Sequence, residues 1–273
     1  MKNSNEYKIT NKTWEVPEFE YTEFFKKRNK SCVCIPVINE GERIRNQLKK
    51  MSYLSRICDI IVADGGSTDN STPQSFLKSV SVRTFLKIKG KPGLSSQMRM
   101  AIAYALQEKY ENLVFIDGND KDEVEKIPVF INFLDKGYDY VQASRYIKGG
   151  KSINTPKLRD FLIKHIHAPL ISFSAAYKYT DTTNGFRGYS RKFLTDTKVQ
   201  PLRSVFVKYN LHYYLAIMAA KLKYRIVEVP VIRKYPAKGK TPTKISFFKG
   251  NFTVFKDLIF SCIGYYEPKR RKK

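Results

Sequence analysis

Asp117, Asn119, Asp120 and Asp122 crowd into one short stretch, within NLVFIDGNDKDE from Asn112 to Glu123. They follow an apolar run, so the acids stand where a strand ends. A second acidic loop, with Asp64 and Asp69, follows the apolar run CDIIVAD. Turns rich in Asp, Asn and Gly also arise for local reasons. Two such loops at one edge of a sheet, however, converge on one crevice. Like charges placed together favour a cation between them. Oxygen-only ligands suit Mg²⁺ or Mn²⁺, with substrate phosphates completing the shell. Such a metal would bridge diphosphate oxygens and offset charge on a leaving group. A carboxylate near 64 suits a hydrogen bond from a base or ribose. Lys89, Lys91, Arg145, Lys148, Lys151, Arg159 and Arg187 flank this edge. They are suited to a diphosphate or an acceptor phosphate, the arginines by bidentate contact.

The elements that must position these residues can be read from apolar periodicity. SCVCIPV (31–37) predicts a first buried strand, CDIIVAD (58–64) a second and SVRTFLKI (81–88) a third. NLVFI (112–116) and YDYVQAS (138–144) predict a fourth and a fifth. Helical spacing recurs over 40–54, 94–109 and 124–134, with Pro128 an objection unless the last starts late. Ser67 and Asp69 offer oxygens to start a helix after the second strand. Residues 1–30 predict an irregular or helical lead-in. The second half is less regular. A helix is predicted over 158–177, interrupted near Pro169, then a short strand at GFRGYS, a helix over 207–222 and a strand at 224–232. Strand and helix alternate up to residue 144, which argues an α/β fold with a mostly parallel sheet. Ligands of such sheets bind beyond the carboxyl ends of the strands. Asn39, Glu40, Asp64 and Asp117 all stand there. No linker divides the halves, so one domain with a C-terminal appendage is expected.

Composition narrows the function classes. Fifty Lys and Arg against 25 Asp and Glu give a formal charge of +25, which favours anionic partners. An apolar content of 42% argues against global disorder. The four cysteines read as reduced thiols rather than a disulfide framework or zinc site. With no signal-like segment and no apolar run of spanning length, a cytoplasmic place is expected, with peripheral contact on the inner membrane face. The aromatic run 246–273 ends in five basic residues. It suits an interfacial helix on an anionic membrane, or a helix packed on the sheet with a loose tail.

Seven motifs in order carry a resemblance. They are Pro36-Val37-x-Asn39-Glu40, Asp64-Gly65-Gly66-Ser67-x-Asp69, Gly93-Leu94, Asp117-Gly118-Asn119-Asp120, Ser144-Arg145-Tyr146-x-x-Gly149-Gly150, Asp181-x-Thr183-Asn184-Gly185-Phe186-Arg187 and Glu228-Val229-Pro230. Over roughly residues 31–245 the chain resembles the inverting glycosyltransferases of family 2, nearest the dolichol- and polyprenyl-phosphate sugar synthases and bacterial polysaccharide enzymes. The resemblance implies the GT-A fold, with a catalytic domain over 31–245 between the lead-in (1–30) and the amphipathic end (246–273). It implies a nucleotide-diphosphate sugar donor, a polyprenyl-phosphate or lipid-linked acceptor and a metal-dependent hexosyl transfer. Pro36, Asn39, Glu40, Asp64, Lys91 and Asp117 would then bind the nucleotide. Asp117 with Asn119 or Asp120 would hold Mg²⁺ or Mn²⁺. Arg145, Arg187 and Asp181, a candidate base, would face the sugar and acceptor. Lys148, Arg159 and Lys244 would bind phosphate.

Departures from the family pattern matter. Asn119 stands where the second metal-binding acid is usual, and Ala63 precedes Asp64 where a second acid is usual. No Gln-x-x-Arg-Trp motif is present, and Tyr213 and Tyr214 occupy the neighbourhood of a usual acid. Three rival readings remain: an inactive sugar-binding relative, a nucleotidyltransferase and a nucleic-acid-binding module. The last fits poorly, because the bases are spread widely and the aromatics sit in apolar periodic runs. No specific nucleic acid is expected.

Overall fold

Cys32 and Cys34 project to one side of the central sheet and Val33, Ile35 and Val37 to the other, each set into its own apolar core. This alternation follows from the two-residue period of a strand buried on both faces. The computed structural model describes residues 5–237 and 249–268. Its strands are β1 (Asn5–Glu6), β2 (Phe19–Glu23), β3 (Ser31–Val37), β4 (Asp59–Asp64), β5 (Val82–Ile88), β6 (Asn112–Phe115), β7 (Tyr140–Ser144), β8 (Lys151–Ile153), β9 (Arg187–Ser190), β10 (Ile226–Pro230) and β11 (Ile232–Lys234). Its α-helices are α1 (Glu42–Met51), α2 (Gln74–Ser79), α3 (Leu94–Gln107), α4 (Ile127–Asp135), α5 (Lys157–Leu162), α6 (Ala168–Ala175), α7 (Arg191–Thr195), α8 (Asn210–Lys221) and α9 (Lys249–Cys262).

One sheet runs in the order β1-β2-β5-β4-β3-β6-β9-β7-β10, and β8 pairs with β11 beside it. β5, β4, β3 and β6 are mutually parallel, as are β7 and β10. β9 lies antiparallel between β6 and β7. The result is an α/β GT-A-like fold with a mixed, largely parallel sheet flanked by helices. α3, α6 and α8 contribute to one core, and α1 and α4 to the other. Cys32, Cys34, Cys58 and Cys262 are all free thiols.

Several local expectations change. The described part of the lead-in holds no helix: β2 extends the sheet antiparallel to β5, and β1 pairs antiparallel with β2. Glu20, Tyr21 and Thr22 alternate with partners on β5, which local propensity alone does not reveal. Ser67 and Asp69 cap no helix. Asp69 instead accepts from the Gly41 and Ser71 amides, and α2 begins only after Pro73. The helical segment 157–175 is interrupted just before Pro169, by a π-turn at Ile163–His167, and Pro169 sits at the start of α6.

Candidate active site

Val37 and Asp64 end neighbouring strands, and the loops beyond them are tied together. The Asn39 amide donates to Ser67 Oγ (3.0 Å), and the Thr68 amide donates to Asn39 Oδ1 (2.8 Å). Asn39 holds a positive φ of 48°, which Asn tolerates better than most residues. Ser67 Oγ donates to Asp64 Oδ1 at 2.6 Å. Burial raises the Asp64 carboxyl above its ordinary value, despite the Ser67 hydrogen bonds. Gln97, which the motifs do not flag, donates from Nε2 to the carbonyls of Val37 and Ala63. It pins the ends of β3 and β4. Pro36 lies within β3, Glu40 is paired with Arg43 (2.7 Å), and Lys91 is exposed in the turn after β5. The sheet thus brings the nucleotide-binding candidates to one edge, with Lys91 at its margin.

Past β6 the acidic residues separate. Asp117 Oδ2 accepts from Arg233 Nη2 at 2.9 Å, and Arg233 Nη1 donates to Asp122. Burial pushes Asp117 up, but the charge and hydrogen bond of Arg233 hold it below the ordinary carboxylate range. Asp122 goes the other way: burial raises it, against Arg233. Asp120 turns away with a positive φ of 54°, and both its oxygens lie 2.9 Å from Lys50 Nζ on α1. Asp120 thus stands in an exposed ion pair with Lys50. Asn119 Nδ2 lies 3.4 Å from Asp117 Oδ2, and its Oδ1 is buried without a hydrogen-bond partner.

A divalent cation would meet one carboxylate, already ion-paired, and one neutral amide oxygen. Among the described residues no group of three His, Cys, Asp or Glu side chains could hold a metal. Asp117 and the unbonded Asn119 oxygen would hold a Mg²⁺ or Mn²⁺ ion only with substrate phosphates completing its shell. The buried Asn119 oxygen suits a hydroxyl or ammonium donor at least as well.

Asp181 and Arg145 meet as a buried bidentate pair. Arg145 Nε donates to Asp181 Oδ2 (2.6 Å) and Nη2 to Oδ1 (2.9 Å), and Nη2 also reaches Thr183 Oγ1 (2.7 Å). Burial raises Asp181, but Arg145 outweighs it and keeps the carboxyl below its ordinary value. An acid so held is ionised, inaccessible and already bonded, so the candidate-base expectation is corrected: the pair positions the 180–187 loop. Arg187 is corrected likewise. It is fully buried and donates to the main-chain carbonyls of Thr182, Asn184 and His212 rather than facing a ligand. Glu228 anchors the same loop by accepting from Thr180 and the Asp181 amide. Lys148 is exposed, and Lys244 lies outside the described residues.

Sequence reading passed over Lys121, Arg233 and Tyr235. Lys121 Nζ stands 4.6 Å from the centre of the Tyr235 ring, with the guanidinium carbons of Arg159 and Arg233 at 5.8 and 6.0 Å. Burial and the charge of Arg233 bring Lys121 down to about 8. Beyond this cluster opens a cleft of about 630 Å³, lined in part by Lys151, Asn154, Lys157, Phe161, Lys164 and His165.

One family model, Glycosyl transferase family 2, matches the chain over residues 32–197. The chain belongs to glycosyl transferase family 2. This is a family of nucleotide-sugar-dependent glycosyltransferases. The family 2 chain is 26% identical over 225 residues to the dolichol-phosphate mannosyltransferase of Pyrococcus furiosus, covering 79% of this chain and 59% of that protein. It thus spans less than two thirds of that relative's length. It is 25% identical over 205 residues to the polyprenol monophosphomannose synthase of Mycolicibacterium smegmatis, covering 74% and 76%. Among solved structures, the glucosyl-3-phosphoglycerate synthase of Mycobacterium tuberculosis superposes with a TM-score of 0.63 at 19% identity. That match covers 85% of this chain and 78% of the synthase, which was solved with Mn²⁺ and UDP-glucose. The likeness shows a shared fold.

Proposed function

We propose that this family 2 chain transfers a sugar from a nucleotide-diphosphate sugar to a phosphate-bearing, lipid-linked acceptor in cell-surface polysaccharide assembly. The observation that carries the donor half is the cluster of Lys121, Arg159 and Arg233 beyond the same sheet edge as the Asn39 and Asp64 loops. Base and ribose sit against those loops, and the diphosphate extends toward the cations. The acceptor oxygen attacks the anomeric carbon from the face opposite the diphosphate, which inverts that carbon. Catalysis is then positioning and charge neutralisation. A phosphate oxygen is already ionised at neutral pH and needs no base. That suits a site whose candidate base, Asp181, is locked in an ion pair.

Calorimetry with UDP-, GDP-, dTDP- and CDP-sugars tests the donor half. One of them is expected to bind the folded chain. Asp117→Ala removes one of the two carboxylates that orient Arg233, so affinity should fall by roughly tenfold or more, a loss of about 1.4 kcal/mol. A folded chain that binds none of the four would sink the reading.

The lipid half is supported by an apolar stripe beside the basic cleft. Leu158, Phe161, Leu162, Ile166 and Phe173 are exposed along the segment 157–175, Phe173 at 91%. Lys157 and Lys164 flank them. α9 packs on α8 and α6, and Ser174 Oγ donates to the Cys262 carbonyl, yet Phe252, Phe255 and Ile263 remain exposed. Helix packing and an outward apolar face are thus both realised on α9. No helix among the described residues is long and apolar enough to cross a membrane. An outward apolar face with basic flanks suits the surface of an anionic bilayer. Sedimentation with phosphatidylglycerol-containing vesicles should therefore carry the chain down, and added salt should release it. Phe161→Ser with Phe173→Ser should weaken binding by about tenfold or more, since burying one such ring is worth about 1.5–3 kcal/mol. Equal recovery with anionic and purely zwitterionic vesicles would contradict the charge argument.

A further inference from the structure

One side chain of α3 reaches the strand ends that carry the Asn39 and Asp64 loops. Gln97 is buried, and its Nε2 donates to the Val37 carbonyl at 2.7 Å and to the Ala63 carbonyl at 2.9 Å. A primary amide has two N–H donors, so both are committed. Val37 is the last residue of β3, and Ala63 stands next to the last of β4. The Val37 carbonyl also accepts from the Gly65 amide at 2.9 Å. The ends of both strands and the start of the loop beyond β4 thus meet at one amide.

Gly65 is fitted to this contact. A Cβ built there would lie 3.0 Å from both Cδ and Nε2 of Gln97. Its neighbour Gly66 holds a φ of 92°, which favours glycine, but Gly65 has no positive φ. The close approach of the Gln97 amide, rather than its own backbone, therefore requires glycine at 65. The amide cannot yield, because both its N–H groups are held. Nor can α3 slide: the Ser95 and Ser96 amides donate to the carbonyls of Lys208 and Val207 at 2.8 and 3.1 Å. Beyond the strand ends, Asn39 bonds Ser67 and Thr68, and the Gly41 amide donates to Asp69. These bonds fix the loops to each other. Arg45 on α1 holds their far end at the carbonyls of Asn70 and Ser71, and Gln97 holds their base.

We propose that Gln97 is a positioning residue for the nucleoside half of the donor: by pinning the ends of β3 and β4 it sets the width of the pocket between the Asn39 and Asp64 loops, and so the nucleobase that the chain prefers. This rests on the glycosyltransferase reading above. Gln97 touches no reacting atom. Its effect runs through the Val37 and Ala63 carbonyls to the loops just beyond them. A pocket with fixed walls loses little conformational freedom when a ligand enters. Loops released from the pin are competent to bind for only a fraction of the time, and apparent affinity falls by that fraction. Discrimination falls with it, because a yielding pocket accommodates bases of more than one size.

Calorimetry with UDP, GDP, dTDP and CDP in Mg²⁺ tests this on the wild type and on variants. Gln97→Met keeps nearly the same length and volume but removes both donors. It is expected to weaken the preferred diphosphate by about tenfold, and to shrink its preference over the other three by a similar factor. A residue that only supports the fold would lower the thermal midpoint and leave that preference intact. Gly65→Ala presses on the same amide without altering α3, and reads the contact even where Gln97→Met does not fold. It should weaken the preferred diphosphate about tenfold, but less than about threefold once Gln97→Ala has removed the amide. An unchanged preference in folded Gln97→Met overturns the inference. So does a Gly65→Ala loss that is equally large in the Gln97→Ala background. A wild type that binds all four alike also overturns it, while leaving the transferase reading in place. A folded wild type that binds none of the four removes both.

Discussion

Replacing Asp181 by alanine is expected to destabilise the chain by about 3–5 kcal/mol, because it strands the buried guanidinium of Arg145. The pair has no access to water, and Arg145 directs three of its hydrogen bonds at this carboxylate and one at Thr183. Urea unfolding monitored by fluorescence would read the loss directly. The pH dependence has a definite sign. The folded carboxyl lies below its ordinary value, held there by Arg145 against the effect of burial. Its contribution is therefore complete above the unfolded value of about 3.9 and disappears as pH falls through the folded one. The gap between wild type and Asp181→Asn should be full at neutral pH and should close in acid. A gap that is small at pH 7, or that widens as the pH falls, would contradict the buried ion pair. A general base on the surface would instead leave stability nearly unchanged and alter turnover alone.

Gly185→Ala should disable donor binding. A Cβ built at Gly185 lies 2.9 Å from Asp117 Cγ and closer still to Oδ1. Asp117 cannot retreat freely, because Arg233 holds Oδ2. Nor can the 185 backbone move easily, with Asn184 Oδ1 accepting from the Phe186 amide and Phe186 stacked on Phe130 at 4.0 Å. Overpacking of this kind costs about 1–3 kcal/mol. If that strain falls on the Asp117–Arg233 pair, the donor affinity should drop by about tenfold or more while the thermal midpoint shifts by only a few degrees. Calorimetry and thermal unfolding on one sample would separate the two effects. Full donor affinity in this variant would show that Asp117 plays no part in orienting the diphosphate site.

The periodic segments were legible because each is short, strongly apolar and bounded by polar turns. β3, β4, β5, β6 and β7 follow from such runs, and α3 follows from its apolar spacing. The order of motifs along the chain carried the family, and the family carried the fold. β2 was not legible. Its sequence, FEYTE, becomes a strand only because β5 offers an unpaired edge, so the decision belongs to pairing rather than to propensity.

The active-site residues divide in the same way. Asp64 and Asp117 could be found because each closes an apolar strand. The fates of Asp120, Asp181 and Arg187 could not, since a side chain's partner is fixed by distant elements: Lys50 on α1, Arg145 after β7, and the carbonyl of His212 on α8. Lys121 and Arg233 are 112 residues apart in the chain, and neither looks unusual among so many bases. A signal was present in VIRKY directly after the last apolar strand, where an arginine stands two residues before an aromatic. Sequence alone determined that acids and bases would gather at the strand ends, since residue type and hydrophobic period are local. Only the tertiary structure decided which acid meets which base, because opposite charges in a low-dielectric interior pair by proximity in space.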